Sequence, residues 1–220
     1  MYRAITSELR ASEKNDNIKA VLFTGIGDSF TSGNDLKDFA KLKTAEDFKD
    51  IVSFLHTVSE YKKPMIAAVN GLAIGIGTTL LFHCDLAFAT PNAHFQLPFI
   101  DLGLCPEGAS SLLLTQTAGY KKATELLMTG RAFTAQEALE FNMINELFSK
   151  DSLLEKTLNH LNALTQKPTQ ALQVTKQLLK RPHAQAIAEA IEVECAYFIK
   201  QLQTQETQDI ISNKITGSRK

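Results

Sequence analysis

The 220-residue chain is 44% hydrophobic and 21% charged, the balance of a globular protein with one sizeable core. Its 23 basic and 24 acidic side chains leave a net charge of −1, which offers no general attraction to phosphate backbones or anionic bilayers, so neither nucleic acid nor membrane is expected as a partner. Cys84, Cys105 and Cys195 are odd in number and far apart, which fits reduced thiols in a cytoplasmic protein rather than a disulfide framework.

Tyr2, Ile5 and Leu9 share one helical face and predict an opening helix to about Asn15; "MYRAITSELR" lacks the apolar stretch of a secretion signal. "IKAVLFTG" predicts a buried strand ending at Gly25, and "GIGDSFTSGNDLKDF" after it reads as a loop. Phe48, Ile51, Val52, Leu55 and Val58 mark an amphipathic helix from Ala45 to near Lys63. The uncharged run of 19 residues from Pro64 to Phe82 approaches the length of a membrane span. Asn70-Gly71 and the glycines beyond it instead predict a buried strand over Met65–Val69, a turn, and a helix from Gly77 to His83.

Leu86–Ala89 and His94–Leu97 predict two further strands, and helices are expected over Ala109–Ala118 and again after Gly119. In "FTAQEALEFN" Thr134 and Glu137 form a capping box that starts a helix at Ala135. Beyond Asp151 the pattern is helical, with a polar tail after Thr204 expected to fray. The fold class is therefore α/β, with a core over residues 1–150 and a helical C-terminal segment over 151–220.

Three short stretches contain candidate chemistry. "GLAIGIGTT" (Gly71–Thr79) reads either as a turn offering backbone N–H groups to an anion or as a glycine-rich helix packed on a sheet; its GxxxGxG spacing matches neither dinucleotide nor Walker motifs. In "FTSGNDLKDF" both Gly33 and Asn34 tolerate positive φ, which lets adjacent N–H groups face a cleft, though a solvated loop has the same look. In "LCPEGASS" a lone carboxylate, Glu107, stands between proline and glycine in apolar surroundings, either as a reactive acid or as an acidic residue complementing a helix start. The five histidines lack HxxxH and HExxH spacing, so no metal site is expected, and His83 reads as a packed or capping residue. No GxSxG is present, which leaves Ser110 and Ser111 as polar helix residues.

In this order, "IKAVLFTGIGDSFTSGNDLKDF", "KPMIAAVNGLAIGIGTTLLFHCDLAFAT", "FQLPFIDLGLCPEGASSLLL" and "LLMTGRAFTAQEALEFNMINELF" resemble the crotonase, or enoyl-CoA hydratase/isomerase, superfamily, from Met1 to about Ser212. The resemblance implies a crotonase-like spiral of β-β-α turns with a helical C-terminal trimerisation segment, assembling as a homotrimer or dimer of trimers. It implies an acyl-CoA thioester substrate and no separate cofactor, coenzyme A being part of the substrate. By motif position the oxyanion hole falls on the N–H groups of Asn34 and Ile76. Ser32, Gly33, Asn34, Asp35 and Leu36, with Gly75 and Phe99, fall in the substrate-binding region. The family has a small residue where Ile76 stands, a departure that a main-chain donor tolerates.

Hydratases of this family use two carboxylates, whose positions here hold Thr79 and Phe99; neither transfers a proton at neutral pH. The isomerase branch has its single acid in a segment like "LGLCPEGASS", and Glu107 matches it. The implied activity is conversion of 3-enoyl-CoA to trans-2-enoyl-CoA in fatty acid β-oxidation; hydration, another crotonase reaction and non-catalytic acyl-CoA binding are the alternatives. Leu102, Leu104 and Phe99 would desolvate Glu107 and raise its basicity, while a helix start after Pro106 would lower it, so the net sign stays open. The family's opening strand pair is missing ahead of the first helix, which predicts an open sheet edge at "KAVLFTG". Lys176, Lys180 and Arg181 read either as contacts to CoA phosphates or as a solvated basic helix end.

Overall fold

Successive short strands alternate between two sheets, and this alternation winds the chain into a spiral. β1 (Val21–Thr24) and β2 (Ser29–Thr31) are followed by β3 (Met65–Val69) and β4 (Leu72–Ile74), then by β5 (Leu86–Ala89) and β6 (His94–Gln96). The odd strands make one parallel sheet, ordered β1-β3-β5-β8, where β8 is Glu146–Leu147. The even strands make the other, ordered β2-β4-β6-β7, with β7 (Phe133–Thr134) antiparallel to β6. The computed structural model describes residues 1–42 and 44–217; Lys43 and the last three residues of the "GSRK" ending lie outside the described residues.

The uninterrupted apolar run "MIAAV" makes β3 a strand buried on both faces. Met65, Ala67 and Val69 join the main core, while Ile66 and Ala68 meet Phe88, Phe148 and Leu153 in a second one. The 19-residue apolar run is thus β3, a turn, β4, the single-turn helix α4 (Ile76–Thr79) and a 3-10 turn over Leu80–His83. No helix among the described residues is long and apolar enough to cross a membrane. Among the described residues β1 is an end strand of its sheet.

The helices α1 (Tyr2–Lys14) and α3 (Ala45–Glu60) pack against each other ahead of β3. α1 is tied down by Lys63, a buried residue whose Nζ donates to the carbonyls of Ser12, Asn15 and Ile18 at 2.7–2.8 Å. That clamp fixes where the first turn of α1, with Tyr2, meets the core. The capping box is present, with Thr134 accepting from the Glu137 N–H and Glu137 from the Thr134 N–H, and α6 runs from Ala135 to Glu140. α5 (Ser110–Thr129) is two helices joined at Gly119, whose φ of 78° and ψ of 158° break the helical path.

Three expectations need correction. The loop at residues 25–39 contains β2 and a one-turn helix, α2 (Leu36–Phe39), and β4 intervenes before α4; three-residue strands are too short to show alternation. Through residue 217 the tail does not fray: after α7 (Leu153–Thr165), α8 (Thr169–Lys180) and α9 (Ala184–Leu202), α10 (Gln205–Thr216) buries Thr207 and Ile211 and bonds the Thr207 hydroxyl to the Gly103 carbonyl. Asn34, unlike Gly33 (φ 86°), does not adopt positive φ.

Phe95 of β6 is fully buried and stacked on Phe133, at 5.5 Å between ring centroids. Phe95→Ala should cost about 3–5 kcal/mol in urea denaturation, with the slope unchanged.

Candidate active site

β2, β4 and β6 are parallel neighbours, with Ser29 opposite Leu72 and Leu72 opposite His94, so all three end at the same rim of their sheet. The residues just past each strand converge there: Ser32, Gly33 and Asn34 after β2, Gly75 and Ile76 after β4, Pro98 and Phe99 after β6. Together with Leu36 and Leu104 they line a cleft of about 270 Å³. The carboxyl ends of parallel strands are where α/β proteins place ligands, because the loops there are free of the ladder.

Two glycines make the convergence tight enough to use main-chain donors. A Cβ at Gly33 would come within 2.9 Å of the Ile74 carbonyl oxygen, and one at Gly77 within 2.3 Å of the Thr31 methyl. The ends of β2 and β4 therefore approach backbone to backbone. The Gly33 N–H is used internally, donating to Thr31 Oγ1 at 3.2 Å, and the Gly75 N–H donates to the Gln96 carbonyl. The N–H groups of Asn34 and Ile76 have no such partner among the described residues and belong to residues lining the same cleft. Ile76 is 5% exposed and belongs to the main core as well as to the cleft lining.

Glu107 is not among the residues lining this cleft; it is 5% exposed, with Oε1 buried and without a hydrogen-bond partner. Burial first, and the charge of Glu194 second, push its pKa up to about 8. The open sign from the sequence is thereby resolved in favour of desolvation. The loop bearing Glu107 is held by His83, whose Nε2 lies 2.8 Å from the Gly108 carbonyl. A carbonyl only accepts, so Nε2 bears the hydrogen, and burial pushes the imidazole pKa down to about 4, keeping it neutral. Gly108 (φ 67°) has no room for a side chain: a Cβ there would meet the Thr79 methyl at 2.4 Å.

Thr79 and Phe99 occupy the two remaining acid positions without acid chemistry. Thr79 is fully buried and donates its hydroxyl to the Gly75 carbonyl, and the Phe99 ring packs edge-on against Phe198. Asp35, placed by the sequence in the binding region, is instead exposed and caps α2, accepting from the Lys37 N–H at 2.7 Å. It is not among the residues lining the cleft. Lys176 is buried against Asp85 and the Lys63 carbonyl, and Lys180 faces the carbonyls of Ser59 and His83; both border a separate groove on the α3–α8 side.

Sequence reasoning missed the residues brought in from the two chain ends. The Tyr2 hydroxyl donates to Asn34 Oδ1, its ring packs 5.2 Å from Phe54, and burial and then the Glu107 charge raise its pKa above the ordinary phenol range. Phe198 of α9 and Lys214 of α10 close the cleft from the other side, and Asp101 sits exposed at its rim. A signal for α10 was present in Thr207, Ile211 and Ile215, which recur every fourth position. Among the described residues no cluster of three His, Cys, Asp or Glu side chains is arranged to hold a metal ion.

The model of the enoyl-CoA hydratase/isomerase family matches residues 1–214. Enoyl-CoA delta isomerase 2 of Homo sapiens is 34% identical over 202 residues, which is 89% of this chain and 51% of that protein, so the chain spans about half the length of that relative. The 2,3-dehydroadipyl-CoA hydratase of Escherichia coli K12 is 30% identical over 209 residues, 94% of this chain and 82% of the other. An enoyl-CoA hydratase/isomerase from Pseudoalteromonas atlantica T6c superposes with a TM-score of 0.93 at 34% identity, covering 99% of this chain and 87% of that one.

A carboxyl whose pKa is raised on folding binds a proton in the folded state that the unfolded chain has released, so stability falls as pH rises from about 4.5 to about 8. Glu107→Gln removes that loss. Between pH 4.5 and pH 8.5 its stability relative to wild type should improve by on the order of a few kcal/mol, read from urea midpoints at each pH.

Proposed function

Because the chain belongs to the enoyl-CoA hydratase/isomerase family, we propose that it moves the double bond of a 3-enoyl-CoA to carbon 2, with Glu107 as the one base that serves both carbons. The thioester carbonyl oxygen accepts from the N–H groups of Asn34 and Ile76. The Glu107 carboxylate takes a proton from carbon 2, and the C–H electron pair passes into the conjugated system as a dienolate with its charge on that oxygen. Glu107 then returns the proton to carbon 4, leaving the double bond between carbons 2 and 3. No water and no cofactor enters the balance.

Donors fixed before the reaction act most strongly on charge that develops during it, and loss of one typically costs about 2.7–4 kcal/mol of barrier. Here both are main-chain groups held by the glycine contacts between β2 and β4. The cleft walls are largely apolar, from Leu36, Phe39, Phe99, Leu102, Leu104 and Phe198, which disfavours water beside the dienolate. Tyr2 holds the Asn34 side chain by its hydroxyl and thereby steadies the residue that supplies the first donor.

The observation that carries this reading is the buried carboxyl of Glu107, with Oε1 unpartnered, in a chain whose positions 79 and 99 hold Thr and Phe. The Escherichia coli relative, a hydratase by name, favours hydration as the second reading. Hydration requires carboxylates that orient and activate water, which Thr79 and Phe99 do not supply.

With a 3-enoyl-CoA as substrate, Glu107→Gln should lower kcat by about 10²–10⁴-fold, the usual contribution of a positioned acid–base group. Equal rates for the two proteins reject the mechanism, and accumulation of 3-hydroxyacyl-CoA as the main product from 2-enoyl-CoA identifies a hydratase instead. The base must be ionised to act, so kcat/KM of the free enzyme should rise with pH until about 8 and then level off.

A further inference from the structure

Glu107 stands just ahead of α5, a helix of 20 residues whose first N–H groups are the natural stabilisers of a nearby carboxylate. The Ser111 N–H is directed at another acid. Glu194, on α9, is 7% exposed, and its Oε1 accepts from the Ser111 N–H at 3.0 Å and from the Ser111 hydroxyl at 2.5 Å. The Ser110 N–H donates instead to the Glu107 main-chain carbonyl at 3.2 Å; burial raises the Glu194 pKa, and the nearby Ser111, Ala109 and Ser110 groups oppose that rise. Its Oε2 is buried without a partner, as is Oε1 of Glu107. Two carboxylates thus share one dry region, and only Glu194 receives the helix start.

The backbone between them explains the division. Gly108 and Ala109 are consecutive left-handed residues, with φ of 67° and 59°, and they turn the chain so that Glu107 is left off the helix axis. A left-handed alanine is uncommon and persists only where surrounding contacts hold it. Here Ala109 is fully buried and the preceding carbonyl is fixed by His83. The titratable groups facing Glu107 are Tyr2 from α1, Cys105 from its own loop, and Glu194 and Cys195 from α9. His83 reaches the loop as a neutral ring. None of these supplies a positive charge at neutral pH.

We propose that Glu194 is a positioning residue for the isomerisation: it takes the α5 start at Ser111 and places a second carboxylate near Glu107, so the helix start does not stabilise the ionised base. The role rests on the reading of Glu107 as the base. Its physical core, the coupling of two carboxyls, does not depend on turnover. Where two acids share a desolvated site, ionisation of one raises the proton affinity of the other.

The test is a ¹³C NMR pH titration of the full chain labelled at the glutamate side-chain carboxyl carbon. The two signals are assigned by their loss in Glu107→Gln and Glu194→Gln. Glutamine at 194 keeps an acceptor for Ser111 and removes the charge, so the Glu107 midpoint should fall by about one pH unit or more. Reciprocally, the Glu194 midpoint should fall in Glu107→Gln, since coupling between two sites is mutual, and this arm stands even where Glu194→Gln does not fold. The acid limb of kcat/KM for a 3-enoyl-CoA should move down with the Glu107 midpoint in Glu194→Gln. A Glu107 midpoint that stays or rises, or a Glu194 midpoint unmoved by Glu107→Gln, overturns the proposal. Absence of isomerisation in the wild type overturns the base reading alone, and the two titrations still decide whether Glu194 sets the basicity of Glu107.

Discussion

A carboxyl group held out of water with no hydrogen-bond partner is the constraint around which this chain is organised. Burial of an ionised group is so costly that the group keeps its proton instead, and a carboxyl that holds its proton to about pH 8 is a far stronger base than one in water. Keeping Glu107 dry takes residues from distant parts of the chain. Tyr2 comes from α1, clamped by Lys63; the Gly108 turn is pinned by His83; and α9 seats Glu194 on the α5 start. Each contact is a satisfied polar interaction, and among them Oε1 of Glu107 is left buried without a partner.

The proposed function also requires a place for negative charge on the substrate side, and it assigns that place to the strand ends of one sheet. Three parallel strands end at one rim, and glycines 33 and 77 leave room there for the Ile74 carbonyl and the Thr31 methyl. Neither glycine cluster means much alone, since either would serve a packed helix or a solvated loop. Their convergence puts Asn34 and Ile76 on one cleft, where the proposed function uses their N–H groups as donors. Base and donors thus come from different physical devices, a desolvated loop for one and strand ends for the other.

How much of this could be read in the sequence depends on how local each feature is. The capping box at Thr134 and Glu137 and the doubly buried strand "MIAAV" depend on neighbours in sequence, and both are where the pattern placed them. β2 and β4 are three residues each, below the length at which alternation shows, and Asp35 looked like a site residue because its motif is, whereas its side chain caps α2. The basicity of Glu107 could not be signed from sequence, because the helix start that would lower it is taken by Glu194, 83 positions along the chain from Ser111. Tyr2, Phe198 and Lys214 stayed hidden for the same reason: helix docking, and no spacing, brings them to the cleft.

In the proposed mechanism one enclosed carboxyl moves one proton between two carbons. A single-turnover reaction in ordinary water with a 3-enoyl-CoA carrying deuterium at carbon 2 tests it directly. A base shielded from solvent should deliver part of that label to carbon 4 of the product, seen by mass spectrometry and ²H NMR. Product formed at the full rate with hydrogen only from solvent at carbon 4 would contradict the mechanism.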